Sequence, residues 1–101
     1  MNQEIKQKWI EALLSNKYKQ GTEALKKGDR YCCLGVLCDV LGAKWNEYDH
    51  SQFSSPPHNQ YLNDGALTLA GLSHDQQFEL ALLNDRGASF KDIADRIERT
   101  L

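Results

Sequence analysis

Three cysteines crowd into seven residues, Cys32, Cys33 and Cys38, and thiols so placed invite a chemical reading. A thiol at a helix N-terminus has its thiolate stabilised by unpaired backbone N–H groups and by the helix dipole, and Arg30 adds positive charge nearby. Cys32 or Cys33 could thus be a nucleophile for cysteine-dependent hydrolysis, with His50 or His58 as a distant base, and Cys32, which falls off the apolar stripe, is the candidate reactive thiol. Packing is the competing reading. Free cysteine behaves as a small hydrophobe, and Cys33 and Cys38 both lie inside an apolar run. Cys38, well away from the terminal N–H groups, is expected to be inert. Adjacent cysteines followed by a five-residue step do not match zinc-ligand spacing, and His50, His58 and His74 show no pairing, so no metal site is expected.

A second cluster suits binding better than catalysis. Tyr18, Gln20, Arg30 and Tyr31 are expected to border a ligand pocket, with Lys17 or Lys19 at its rim. Backbone N–H groups before a helix receive anions, and an arginine holds a phosphate bidentately. Tyrosine faces suit a base, and an amide can both donate to and accept from its edge. Asn84 and Asp85, in a turn between two helices, are candidates for the opposite wall or else simply cap. No catalytic residue and no cofactor is assigned.

The run Gly87-x-Ser89-x-x-x-Ile93-Ala94 is common in the first helix of helix-turn-helix DNA binders. A recognition helix has to follow such a helix, because that is the element that enters the major groove. None follows here, and the exposed side of this helix carries Asp92, Asp95 and Glu98. Duplex DNA is not an expected partner.

The elements that must position these groups follow from apolar spacing. Ile5, Trp9, Ala12 and Leu13 fall on one face of a helix over residues 3–14, ended by Ser15-Asn16. A turn-rich connection follows, with Gly21 and Gly28 as breakers and a short β-hairpin through 24–27. Cys33, Val36, Leu37, Val40 and Leu41 form the stripe of a central helix over 31–41, capped by Asp29 and stopped by Gly42. Residues 43–64 read as a long irregular loop around Pro56-Pro57 that carries Trp45, Tyr48, Phe53 and Tyr61. Ser73 and Gln76 form a capping box for a helix that buries Phe78, Ala81 and Leu82. Ser89 caps a last helix with Phe90, Ile93, Ala94 and Ile97 on one face. The expected fold is mainly α, a small single domain over 1–101 of about four helices with a short hairpin and a long central loop.

Bulk properties narrow the function classes. The chain is 41% hydrophobic and 26% charged, ordinary globular usage, which excludes general disorder. No stretch is apolar enough to span a bilayer, and the start lacks a signal-peptide core, so no membrane partner and a cytoplasmic location with reduced thiols are expected. The net charge of −2 hides an asymmetry: residues 1–30 hold seven Lys/Arg against four Asp/Glu, and 31–101 hold five against ten. An anion would be steered to the N-terminal third.

The run K-Y-K-Q-G…L…D-R-Y-C-C-L-G-V-L-C-D, followed by A-G-L and by N-D-x-G-x-S-F-x-x-I-A-D-x-I-E, resembles a group of small proteins encoded by bacteriophages and prophages. The resemblance covers residues 9–42 and 66–101, with YCCLGVLCD at its centre. It implies a phage accessory protein in the host-cell cytoplasm. Many such proteins counter host defences, some by sequestering a nucleotide signal. Three readings stay open: a non-catalytic binder of a small nucleotide-like or other anionic ligand, a direct inhibitor of a host protein using the aromatic loop, and a cysteine-dependent hydrolase. The first leads.

Overall fold

A computed structural model describes residues 1–42 and 59–101 and the backbone of 44–45 and 54–55. The fold is mainly helical. Among the described residues five helices, α1 (Gln3–Leu14), α2 (Cys33–Val40), α3 (Asp64–Ala70), α4 (His74–Asp85) and α5 (Phe90–Thr100), accompany two-residue strands β1 (Lys19–Gln20), β2 (Lys26–Lys27), β3 (Arg30–Tyr31), β4 (Lys44–Trp45) and β5 (Ser54–Ser55). The strand order of the first sheet is β1-β3-β2, with β1 parallel and β2 antiparallel to the central β3. The fourth and fifth strands pair in parallel.

α2 is the axis of the core. Every residue from Cys33 to Cys38 is buried, so this helix is covered all round rather than on one stripe. α1 packs on one side of it and α4 on another, and α5 closes against both α1 and α4. The Trp9 indole is fully buried and donates from Nε1 to the Cys33 carbonyl at 2.9 Å, so α1 meets α2 through a large apolar ring with its one polar atom satisfied.

The helix starts are capped by side chains. Asn2 accepts from Ile5 N–H, Asn63 from Ala66, Ser73 from Gln76 and Ser89 from Asp92, and the Ser73–Gln76 box is complete in both directions. α3 ends at Gly71, whose φ of +73° lets its N–H and that of Leu72 return to the Leu67 carbonyl.

Four sequence expectations are corrected. The central helix starts at Cys33, not Tyr31, because residues 30–31 are taken up by a strand. Its cap is Cys32, whose Sγ accepts from Gly35 N–H at 3.4 Å, while Asp29 sits in a turn. The hairpin is shifted from 24–27 to β2 and β3 around Gly28-Asp29, where Gly28 takes φ +63° at the first turn position, matching the twist of the strands. The expected loop over 43–64 gives way at its end to α3, a helix the sequence reading missed. α4 is rotated from its expected phase: Gln77, Leu80, Ala81 and Asn84 are buried, while Phe78 is 54% and Leu82 38% exposed.

Candidate functional site

Strand register decides which side chains share a face. Lys19 and Lys27 both pair with Arg30, and Gln20 and Lys26 both pair with Tyr31. Lys19, Arg30 and Lys27 thus form one exposed row across three strands, and Gln20, Tyr31 and Lys26 form a half-buried row on the opposite face. Like charges directly opposite one another across a ladder destabilise it. Asp29 answers one of the three, its Oδ2 lying 2.9 Å from Lys19 Nζ, and that ammonium holds the Asp29 carboxyl below its ordinary range. Among the described residues neither Arg30 nor Lys27 is in an ion pair.

Arg30 and Lys27 of this row line an open groove of about 780 Å³, together with Gln20, Gly21, Glu23, Lys26 and Asp29. Gly21 keeps the groove open beside the arginine, since a Cβ there would meet Arg30 Cβ at 2.9 Å. Arg30 Nη1 donates to the Gln20 carbonyl at 3.2 Å, which leans the guanidinium over β1. On the rim, Glu23 takes φ +65°, a conformation that a non-glycine residue keeps only when its surroundings impose it.

That imposition comes from the C-terminal end of α4. Asp85 Oδ1 accepts the Glu23 N–H at 3.1 Å. Asn84, 1% exposed, accepts on Oδ1 from Gln20 Nε2 at 2.9 Å and from Cys33 N–H at 3.2 Å, and donates from Nδ2 to the Gly21 carbonyl at 2.8 Å. Gln20 Nε2 also donates to the Ala88 carbonyl at 2.7 Å. Asn84 and Asp85 are therefore not an opposite wall. They hold the groove's backbone from beneath and behind.

The expected pocket is thus assembled in part. Gln20 and Arg30 meet in one groove, whereas neither Lys17 nor Lys19 lines it; Lys19 stands beside Arg30 on the neighbouring strand. Tyr18 and Tyr31 pack edge to face on each other, centroids 5.0 Å apart, away from the cation row. The Tyr18 hydroxyl donates to Asp39 Oδ2 at 2.5 Å, and burial, reinforced by that carboxylate, pushes its pKa upward. Lys26 Nζ lies 5.4 Å from the centre of the Tyr31 ring, on the half-buried side. Lys26 and Lys27 belong to the basic N-terminal third but were not assigned to the pocket, because a helix started at Tyr31 leaves no cross-strand row.

The thiols point away from nucleophilic chemistry. All three cysteines are buried and unbridged. Burial pushes the Cys32 thiol up, outweighing the hydrogen bonds from Gly35 and Leu34 N–H, and pushes Cys33 well up. The position of Cys32 before a helix therefore supplies a cap acceptor, not an activated thiolate. His50, His58, Tyr48 and Phe53 lie outside the described residues, as does the side chain of Trp45. Among the described residues no three His, Cys, Asp or Glu side chains come together to hold a metal, and no helix is long and apolar enough to cross a membrane.

A family model described as Domain of unknown function (DUF8296) matches residues 1–71. The chain belongs to this family. No curated protein and no solved structure matches it. In this DUF8296 chain the matched part carries the whole cation row and the groove, and it stops short of the end of α4 that anchors them.

Proposed function

We propose that this DUF8296 chain is a non-catalytic binder of a small anionic, nucleotide-like ligand, serving a phage in its host's cytoplasm by sequestering a signal of the host's defence. One observation carries the binding part: Lys19, Arg30 and Lys27 stand side by side on an exposed ladder, the last two lining a groove, and of the three only Lys19 is in an ion pair among the described residues. Such a row costs stability in the free protein and is relieved when an anion lies across it. The phage setting rests on the sequence resemblance over residues 9–42 and 66–101.

The test is a thermal-shift screen of the protein and of Arg30→Gln against nucleotides, including cyclic and dinucleotide messengers. A ligand that binds only the folded state raises Tm by mass action. The expected result is a shift with at least one of these anions in the parent that is lost in Arg30→Gln. No shift with any of them, or a shift that Arg30→Gln leaves unchanged, sinks the reading.

A second reading, direct binding to a host protein, is favoured by a different observation. Tyr61 stacks on Phe78 with centroids 6.3 Å apart, and both are exposed along with Leu82 one helical turn further on. Exposed contiguous apolar surface marks contact sites. If Phe78→Ser abolishes function in a phage-infection assay while Arg30→Gln does not, this second reading replaces the first.

A further inference from the structure

Resting on the anion-binding reading, we infer that the groove recognises a ligand by two or more phosphate groups laid along the Lys19–Arg30–Lys27 row, and not by its base. Neighbouring strands are about 4.8 Å apart, so three cations on three strands span roughly 10 Å. A single tetrahedral phosphate bridges two neighbouring cations of such a row at most. The third is engaged only when a second anionic group continues along it. Arg30, on the central strand, is the shared member and the one able to hold phosphate oxygens in pairs.

The groups suited to reading a base are committed elsewhere. The two tyrosines pack edge to face on the far side of the sheet, with Lys26 near the Tyr31 ring, and the Gln20 amide donates to Asn84 and to Ala88. The charged groups lining the groove are Lys26, Lys27 and Arg30 against Glu23 and Asp29, a net positive lining beside a surface opened by Gly21. Recognition then counts phosphates and is indifferent to the base.

Asp29 sets the threshold. Its carboxylate already satisfies Lys19 at one end of the row, so a ligand must compete with it to reach the third cation. A monophosphate gains little by doing so, because Arg30 and Lys27 suffice for it. A polyphosphate has a further anionic group that Lys19 would take. Nucleoside polyphosphates and free polyphosphate share this chemistry, and the experiment separates them.

The experiment is calorimetric titration of the whole protein, at fixed ionic strength, with inorganic phosphate, pyrophosphate, tripolyphosphate, AMP, ATP, GTP and a glutamate-rich peptide of the same charge as tripolyphosphate. Affinity should rise from phosphate through pyrophosphate to tripolyphosphate by about tenfold or more overall, with ATP and GTP within about threefold of each other. A nucleoside that adds nothing to tripolyphosphate identifies the free polyphosphate as sufficient; an equal gain from adenosine and guanosine identifies the nucleotide, still base-indifferent. Asp29→Asn should tighten tripolyphosphate about threefold while leaving phosphate alone, and Lys27→Gln should weaken tripolyphosphate more than phosphate. Equal affinity for AMP and ATP, a strong ATP-over-GTP preference, or peptide binding as tight as tripolyphosphate would overturn the inference while leaving an anion groove in place. If no anion binds, or if Lys27→Gln and Arg30→Gln leave every affinity unchanged, the groove reading itself falls. All of these positions are exposed, and melting curves of the variants check that each is folded.

Discussion

A Cβ on Gly35 would lie 1.8 Å from the carbonyl oxygen of Leu25. That carbonyl accepts the Cys32 N–H at 3.3 Å, and Leu25 is itself fully buried, so the loop behind the groove is seated directly on the backbone of α2. The closeness is what glycine permits at this one position of the helix, at a cost of roughly 1 kcal/mol in helix propensity relative to alanine.

Gly35→Ala is accordingly expected to destabilise the protein by about 3 kcal/mol or more, against the small gain that the same change gives in an ordinary helix. Urea unfolding followed by circular dichroism measures it. A variant as stable as the parent would mean that Leu25 does not sit where the structure has it.

Asn84→Ala removes a side chain that satisfies three partners at once: Gln20 Nε2, the Cys33 N–H and the Gly21 carbonyl. Each buried polar group left unpaired costs about 1–3 kcal/mol, so a loss near 4 kcal/mol is expected. Asn84→Asp keeps the acceptor but turns a buried carboxylate toward the Gly21 carbonyl and Asp85, and should cost as much at neutral pH and less when acid protonates it. A distinctly smaller loss for Asn84→Asp at neutral pH would assign the main role to the acceptor.

Lys27→Glu should stabilise the free protein by roughly 0.5 kcal/mol, since it turns the repulsive pairing with Arg30 into an attractive one. The same change should abolish anion binding. The opposing signs are the useful feature: a variant that binds poorly because it is misfolded would melt lower, not higher.

The rotation of α4 gives a paired expectation. Leu80→Ala should cost about 2–4 kcal/mol, because Leu80 is 3% exposed, while Phe78→Ser should stay within about 1 kcal/mol. The reverse ranking would restore the phase expected from residue type alone.

Alkaline pH probes the tyrosine pair. Tyr18 has its pKa raised above the ordinary 10.0 by burial and by its bond to Asp39. Unfolded tyrosine loses its proton near pH 10, so above that pH the unfolded chain binds fewer protons than the folded one. Stability from this group is whole below about pH 10 and declines as pH climbs toward the folded value. Cys32 and Cys33, raised from 9.0, begin the same decline one unit earlier and remain in the variant. Tyr18→Phe should therefore be less stable than the parent at pH 8, and the gap should narrow steadily as pH rises from 10 to 12 in urea midpoints. A gap that stays constant across this range would detach Tyr18 from the alkaline loss.

The fold was legible where apolar spacing and caps agreed. α1 appears at the expected residues, and Ser73 with Gln76 and Ser89 announce α4 and α5. α3 was not legible, because seven residues after a loop give too short a period to separate from their surroundings. The face of α4 was misjudged for a specific reason. Its buried side contains Gln77, which accepts the Leu62 N–H, and Asn84, and a hydrophobic pattern cannot register an amide buried for its hydrogen bonds. At the site, charge type pointed to Arg30 and to Lys19. What failed was the period: residues 30 and 31 alternate across a strand, so Tyr31 and Arg30 face opposite ways where a helical start would have placed them together.

α1 finds its cover partly on α5, at the other end of the described chain order. Protein synthesis is vectorial, and a helix of this kind leaves the ribosome with Trp9, Ile10 and Leu13 still wet. α2 supplies a first partner early, but the second is not made until α5 has emerged. Until then the nascent chain presents an apolar stripe to chaperones and to other nascent chains, and final compaction waits for translation to have passed the last turn of the groove's own anchor.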